Sequence, residues 1–340
     1  RMIIMILGIG GCTALLLTGF GIKDSVKDVG NYQYGEISIH DAQLGIDEGI
    51  TMVEGHNLLR NYEDSIEGAC FLNQSSMDAK SSGASKSIYV CTAAGENLEG
   101  FFNLKYEDEK IVYPQTGEAA ISRGLAQMLA IGIGDTVTLA EGEVQSELTV
   151  SAIFENYVHN YVFISPRTYY DIYGTPAELN LGFVNFREGT DTVDIASRLS
   201  EDETVSSVII IEERLSYLND MLDSLKYITM VIIICAAALA FIVLYNLTNI
   251  NITERIREIA TVKVLGFHTG ETSRYVFSEN LILTFIGAFV GLPLGILLHG
   301  FVMGNISIDS VRFDVRIVPA SYVWSVLLTL LFAVIIYTLM

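Results

Sequence analysis

Four long runs of uncharged, mostly apolar residues constrain this chain more than any other feature of its sequence. The runs extend over 2–22, 227–253, 280–307 and 317–340, and none of them contains Asp, Glu, Lys or Arg. An α-helix needs about 20 apolar residues to cross the hydrocarbon core of a bilayer, because each residue adds only about 1.5 Å to its length. The sequence therefore predicts an integral membrane protein with four transmembrane helices.

The first run admits a second interpretation, as a secretory signal peptide with Arg1 as its basic end. Its length of about twenty residues exceeds the usual apolar region of such a signal. No A-x-A-like cleavage site precedes Lys23. We therefore expect a membrane helix here. The chain begins beside one span and ends inside another, so we also expect it to be a segment of a longer polypeptide.

The negative charge of the chain is concentrated between the first and second apolar runs. Residues 23–226 contain 13 Lys and Arg against 34 Asp and Glu, a balance of −21 that accounts for the whole net charge of −20. Strong negative charge disfavours binding to nucleic acid and to anionic lipid. We therefore expect this segment to lie outside the bilayer and to have no nucleic-acid partner.

Patterns of alternation in this acidic segment predict an α+β domain. Residues 32–40 alternate as a strand does, and further strands are predicted near 69–74 and 86–92. Residues 118–131 have the spacing of an amphipathic helix, and three strands are predicted between it and Pro166. The segment is therefore expected to fold into mixed helices and strands.

A leucine stripe precedes the second apolar run. Leu215, Leu218, Leu222 and Leu225 are spaced by three or four residues, as in a short coiled-coil seam. This spacing predicts a stalk helix that continues into the second span and transmits motion. A helix that packs on its own domain is the alternative interpretation.

A short charged segment, residues 251–274, lies between the second and third apolar runs, and we call it the elbow. Its apolar residues recur at three- and four-residue steps, as on a helix with one buried face. Gly266 stands where such a helix would end, because glycine tolerates a left-handed backbone. Thr269 can cap a second helix. A helix–break–helix elbow between two spans is suited to contact a partner at the membrane surface.

The elbow also resembles a known family. The sequence TERIREIATVKVLGF, followed by SENLILTFIGAFVGLPLG, is similar to the permease subunits of MacB/FtsX-like ABC transporters. The order of a helix, a G-x-G-D-x-V-x-L strand at 132–139 and an NYVFIS strand at 160–165 resembles the extracytoplasmic domain of MacB-like permeases. The family-like membrane topology extends over the whole chain.

The apolar runs and the resemblance together predict a membrane α-helical protein with four transmembrane helices and an α+β extracytoplasmic domain inserted between the first and second spans. In chain order the predicted parts are transmembrane helix 1–22, MacB-like α+β domain 23–211, stalk helix 212–226, transmembrane helix 227–250, cytoplasmic elbow 251–274, transmembrane helix 275–303, outer loop 304–320 and transmembrane helix 321–340. Basic residues in the elbow favour a cytoplasmic elbow by the positive-inside rule, although basic residues also flank the spans on the other side.

The resemblance implies the non-catalytic permease subunit of an ABC transporter that binds no cofactor itself, with ATP bound and hydrolysed by a separate cytoplasmic ATPase. It implies mechanotransmission, in which hydrolysis moves the extracytoplasmic domain to export or extract a peptide, drug or lipoprotein. The other implied partners are the lipid bilayer and a second permease half, either an identical chain or a second module of a longer one. A multi-pass protein of a bacterial cell membrane, with both termini in the cytoplasm, is implied as well.

Alternatives from other classes are a non-ABC membrane-anchored sensor or ligand-binding protein and, less favoured, a membrane enzyme. The sensor needs no elbow of this composition and predicts no ATPase partner. The sequence contains no G-x-x-x-x-G-K-[ST] phosphate loop, no H-E-x-x-H or Cys/His cluster, and no G-x-S-x-G elbow. We therefore expect no catalytic residue and no metal site.

Site residues follow from these motifs. Contacts with the ATPase are expected from the elbow residues Glu254, Arg255, Arg257, Glu258, Ile259, Lys263, Leu265 and Gly266. Gly287, Gly291 and Gly295 form a small-xxx-small stripe, which we expect to pack against the second permease half.

Three further side chains are candidates for structural roles. Glu279 is expected to be an interface carboxylate that positions the third span from its cytoplasmic end. Cys70 and Cys91 flank a turn-rich segment, so a disulfide between them and two free thiols both remain open.

Overall fold

The computed structural model describes residues 2–27, 29–81, 83–93, 98–107, 109–254, 256–257, 260–261, 269–305, 311–313 and 315–339. Its helices are α1 (Met2–Lys27), α2 (Val29–Tyr32), α3 (Met52–Leu59), α4 (Arg123–Leu129), α5 (Pro166–Tyr173), α6 (Thr192–Leu199), α7 (Ile211–Glu254), α8 (Thr269–Asn305) and α9 (Pro319–Leu339). Its strands are β1 (Ala42–Ile50), β2 (Ile66–Ser81), β3 (Ala84–Thr92), β4 (Lys105–Tyr106), β5 (Glu109–Lys110), β6 (Glu118–Ser122), β7 (Thr136–Glu141), β8 (Val144–Phe154), β9 (Tyr161–Ile164), β10 (Leu179–Phe186) and β11 (Val205–Ile210).

The chain divides into two compact units. The membrane unit consists of residues 1–28, 221–307 and 313–340, and the α+β domain consists of residues 29–220 and 308–312. Within the described residues, α1, α7, α8 and α9 contain the four segments that are long and apolar enough to cross a bilayer. The predicted fold class, four membrane helices with an α+β domain between the first two, is confirmed.

Glycines bring α1 and α8 into close contact inside the membrane unit. A Cβ atom added at Gly287 would lie 2.8 Å from Ile9 Cβ, and one at Gly291 would lie 2.8 Å from Thr13 Cβ. The same added atom at Gly291 would also collide with the carbonyl oxygen of Gly10. The stripe that we expected to face a second permease half therefore packs against the first span of the same chain, and that expectation was wrong. The close approach increases van der Waals contact between helices that lipid alone would not drive together.

Hydroxyl groups link the same helices. The Thr13 and Thr329 hydroxyls lie 3.1 Å apart, which joins α1 to α9, and Thr18 donates to the Gly295 carbonyl at 3.3 Å. Ser25 lies 3.1 Å from His299 Nε2. Buried polar groups cost free energy unless they are hydrogen-bonded, so these pairs favour one arrangement of the three helices.

The α+β domain is built on one long strand, β2, which belongs to two sub-structures. The described strands form a nine-stranded sheet in the order β11-β1-β10-β2-β3-β9-β6-β8-β7, and β7 also pairs with β2. Strands β2, β3, β9, β6, β8 and β7 therefore close into a small barrel, while β11, β1, β10 and the first half of β2 form an open sheet. Closure removes the unpaired edges that a flat sheet would expose.

Each sub-structure has its own apolar core. Side chains such as Val90, Ile121 and Val150 fill the barrel together with residues of α4. Leu44, Phe71 and residues of α6 fill the space beside the open sheet.

Two local predictions in this domain were wrong. Residues 33–37 form a π-helical turn rather than a strand, and the strand begins at Ala42. The buried amide of Gln33 explains the turn, because it donates to Asn156 at 2.9 Å and accepts from the Tyr157 amide at 2.8 Å. Residues 118–122 form β6 rather than the first turns of a helix, because they pair with β8 and β9 in the barrel. Tertiary pairing here overrides local helix propensity.

We predict that Gly291→Leu destabilises the membrane unit. A leucine there would overlap Gly10 and Thr13, and overpacking typically costs about 1–3 kcal/mol of the free energy of unfolding. Thermal unfolding of the full chain in detergent should therefore begin at a lower temperature. The matched control is Gly300→Leu on the same helix, where an added Cβ meets no atom within 4 Å. Equal melting temperatures for the two variants would contradict the packing described above.

Candidate coupling elements and polar sites

Most of the predicted contact residues of the elbow lie outside the described residues. Glu254 is the last residue of α7 and is exposed, as are Ile256 and Arg257 in the short helical pieces that follow it. The remaining predicted contact residues lie outside the described residues, namely Arg255, Glu258, Ile259, Lys263, Leu265 and Gly266. Glu279 lies on α8, and its side chain is likewise outside the described part.

The predicted stalk is the first part of α7, a helix that continues without interruption to Glu254. Leu218 and Leu222 are buried. A Cβ added at Gly30 would lie 3.1 Å from Leu215 and 3.4 Å from Leu218. The leucine stripe therefore begins by packing against α2 within the α+β domain. The alternative interpretation, a helix that packs on its own domain, therefore holds for the start of the stripe. The same helix continues into an apolar span, and transmission of motion by it stays a prediction.

A polar cavity lies beside the first turn of α7, within the α+β domain. Arg214 donates to the Gln43 side chain at 2.9 Å. The ring of His40 stacks on Phe183 at 4.0 Å, and its Nδ1 lies 3.0 Å from the Phe101 carbonyl oxygen. A carbonyl only accepts, so Nδ1 carries the proton and Nε2 has a free lone pair.

His40 has an unusually low pKa because its ring is buried. Among the described residues, its Nε2 has no hydrogen-bond partner. Burial lowers the pKa of His40 to about 4. The cavity that it lines, shared with Arg214, His159 and Tyr161, measures about 30 Å³, which is room for one water molecule. The site is therefore a tight polar junction between β1 and α7 and has no space for a larger ligand.

A buried carboxylate in the α+β domain binds two arginine side chains, one of which follows the third span in the chain. Glu155 is 5% exposed and accepts from Arg123 at 2.6 Å and from Arg312 at 2.9 Å. The Arg312 amide donates to the Tyr157 carbonyl at 2.8 Å, and Val311 forms a bridge with Val158. Val311 and Arg312 are thus attached to the α+β domain by both backbone and charge.

The two candidate cysteines are free and buried. Cys91 on β3 lies opposite Gln74, whereas Cys70 lies earlier on β2, opposite Phe183 on β10. Of the two alternatives left open by the sequence, the structure has the two free thiols, because the hairpin register separates the two residues by four positions along β2. Burial raises the pKa of the Cys70 thiol to about 12, which makes it a poor nucleophile.

A surface cleft of about 830 Å³ lies in the region of residues 98–113. Its floor is apolar, and its two lysines are paired: Lys105 with Glu36 at 2.8 Å, and Lys110 with Glu99. Among the described residues there is no group of three or more His, Cys, Asp or Glu side chains that could hold a metal ion.

Two family models match the chain. The MacB-like periplasmic core domain matches residues 2–202, and the FtsX-like permease C-terminal domain matches residues 230–340. The first match alone covers more than half of the sequence. The chain belongs to the MacB/FtsX-type family of ABC transporter permeases. Permeases of this family work with a cytoplasmic ATPase and are generally non-catalytic. This permease is a membrane protein with an extracytoplasmic domain.

Among the solved structures that match this chain is the extracellular domain of the noncanonic ABC-type transporter YknZ from Gram-positive bacteria. It is 14% identical and aligns over 50% of this permease and 98% of its own chain, with a TM-score of 0.36. The periplasmic region of MacB from Actinobacillus actinomycetemcomitans is 9% identical over 54% of this chain and 94% of its own, with a TM-score of 0.35. A comparison with curated proteins finds no match. The family assignment therefore rests on the two family models.

We predict that His40 makes the permease less stable in acid. The pKa of His40 is about 4 in the folded chain and about 6.5 in an unfolded one. The unfolded state therefore binds a proton first, and stability present above pH 6.5 is lost as pH falls toward 4. The full loss for this one group is on the order of 3 kcal/mol. Unfolding of the full chain in detergent, followed between pH 7 and pH 4, should show a shallower pH dependence in His40→Phe.

The matched control for this prediction is His56→Phe, which changes an exposed histidine of the same domain. It should keep the pH dependence of the unchanged chain. An identical slope in His40→Phe and in the unchanged chain would contradict the assignment.

Proposed function

We propose that this permease converts ATP hydrolysis by a separate cytoplasmic ATPase into movement of its extracytoplasmic α+β domain. The observation that carries the proposal is the unbroken helix α7. It begins at the residue after the last strand of the α+β domain, contains 44 residues, and has neither Pro nor Gly. A helix of that length extends about 66 Å at 1.5 Å per residue.

An uninterrupted helix is a suitable mechanical element because its hydrogen bonds resist bending, and Pro and Gly are the usual sites of breakage. Its first turn is fixed to β1 through Arg214 and Gln43. Its last residue, Glu254, opens the elbow. A displacement applied at the elbow would therefore act on β1 and the open sheet through one continuous element.

Further parts of the proposal concern partners and location. The elbow, including Glu254, Arg257 and the six elbow residues outside the described part, would bind the ATPase, with Glu279 positioning α8 from its cytoplasmic end. A second permease half would complete the transporter, as an identical chain or as a second module. The substrate, such as a peptide, drug or lipoprotein, would be handled outside a bacterial cell membrane. The elbow and both termini would be cytoplasmic, and the permease itself would bind no cofactor.

We predict that a photocrosslinker at Ile256 captures an ATPase subunit. Ile256 is 60% exposed just beyond the span, where an apolar side chain is suited to a protein contact. The full-length permease would be purified from its native membrane after irradiation, and crosslinked proteins would be identified by mass spectrometry. The matched control is a crosslinker at Val231, 59% exposed on the apolar part of α7. Failure to capture a nucleotide-binding protein at Ile256, with the permease intact, would argue against the assigned role of the elbow.

We also predict that breaking α7 uncouples hydrolysis from movement. Tyr217 is 75% exposed, so Tyr217→Pro should act mainly by breaking the helix, at a cost of about 3 kcal/mol. The co-purified ATPase should still hydrolyse ATP, whereas the change in hydrogen exchange of β1 and β11 on nucleotide trapping should disappear. Tyr217→Ala is the control and should keep that change. Retention of the change in Tyr217→Pro would mean that α7 is not the transmitting element.

A further inference from the structure

The nine-stranded sheet formed by the described residues has an open edge at β11, residues Val205–Ile210. The other end of the strand order, β7, pairs with β2 and is closed into the barrel. Strand β11 pairs only with β1 among the described strands. Its sequence, VSSVII, contains no charge, no Pro and no Gly. These are properties of a strand that accepts another strand, and most proteins protect such an edge with charge, Pro or a covering segment.

The backbone geometry shows which groups of β11 remain available. The Ile211 amide donates to the Asp41 carbonyl at 2.9 Å, in line with the antiparallel pairing of Ala42 with Ile210. Backbone groups alternate in direction along an antiparallel strand, so those of Ile209 face β1 and those of Val208 face away from it. The Val208 side chain meanwhile packs against the core of the open sheet. The outer side of β11 therefore offers a backbone donor and acceptor at Val208 on a strand that its own core holds in place.

Negative charge at both ends of β11 indicates which kind of segment could bind along it. Exposed acidic residues precede β11 and follow it: Glu201, Asp202, Glu203, Glu212 and Glu213. Asp202 also accepts from the Thr204 amide at 2.9 Å, which fixes the turn into the strand. An extended peptide with basic residues at its ends would meet carboxylates at both ends of an uncharged strand. A second copy of this permease would bring the same carboxylates opposite one another, which costs free energy.

We propose that β11 is a docking edge for an extended basic peptide segment, which adds to the sheet as a further strand. The main-chain hydrogen bonds supply affinity, and the flanking carboxylates select Lys and Arg at the ends of the segment. Because α7 begins at the residue after β11, the docked strand lies directly next to the start of that helix. Docking is independent of the ATPase and of the coupling proposed above.

The test uses the full chain in nanodiscs of zwitterionic lipid, without nucleotide or ATPase. The probe is a fluorescent eight-residue peptide of alternating threonine and valine with lysine at both ends. We expect it to bind and to slow hydrogen exchange at the Val208 amide. The same peptide with glutamate ends should bind at least about tenfold more weakly, because like charges then face each other. Empty nanodiscs measure adsorption to lipid.

The decisive variant is Val208→Pro, which removes the outward-facing amide while leaving the ladder with β1 intact, as proline is tolerated at a strand edge. Loss of the hydrogen bond that this amide would donate should weaken peptide binding about tenfold. Val208→Ala is the matched control, because it removes the same packing but keeps the amide, and its affinity should change little. Equal affinities for the two variants would overturn the proposal.

Two further measurements keep the test conclusive. If Val208→Pro does not fold, the peptide can be changed instead: N-methylation of the peptide amides that would face β11 removes the hydrogen bonds that the peptide would donate to the strand. A probe methylated on the alternate amides is its control, and equal binding of the two would overturn the proposal. Sedimentation tests the other possible occupant of the edge, a second copy of the permease. A dimer that is lost in Val208→Pro but kept in Val208→Ala would assign the edge to a second copy and overturn the peptide proposal.

Discussion

The absence of water inside a bilayer is the constraint on which the rest of this permease depends. Backbone N–H and C=O groups that cross the hydrocarbon must be hydrogen-bonded within the protein, and a helix achieves this within a single segment. The chain meets the requirement in the apolar parts of α1, α7, α8 and α9. Its acidic residues are consequently concentrated in the segment between the first two spans, where water and paired charges stabilise them.

Specific contacts then select one arrangement of these helices. Apolar surface cannot do so in lipid, since lipid tails are as apolar as leucine. The contact of Gly291 with Gly10 and Thr13 supplies close packing between α1 and α8. The Thr13–Thr329 pair supplies a hydrogen bond to α9. A few small and hydroxyl-bearing side chains therefore determine which membrane helices contact one another.

Buried polar groups of the α+β domain are likewise hydrogen-bonded where the chain enters it from the membrane helices or leaves it toward them. Gln33, just after α1 and α2, bonds to Asn156 and to the Tyr157 amide. Arg312, after the third span, bonds to Glu155, the residue that follows β8. Arg214, at the start of α7, bonds to Gln43. Each segment is therefore attached by hydrogen bonds or charge, which are more directional than apolar packing.

The sequence by itself determined the membrane class, the four spans, the acidic α+β domain and the family, because each depends on local composition or on a contiguous motif. It could not determine that Gly287 and Gly291 face α1 rather than a second permease half, since glycine spacing marks a close contact without naming the partner helix. It also could not predict that residues 118–122 form a barrel strand, or that Cys70 and Cys91 fall four positions out of register. Those outcomes depend on pairing between residues far apart in the chain, which only the tertiary structure decides.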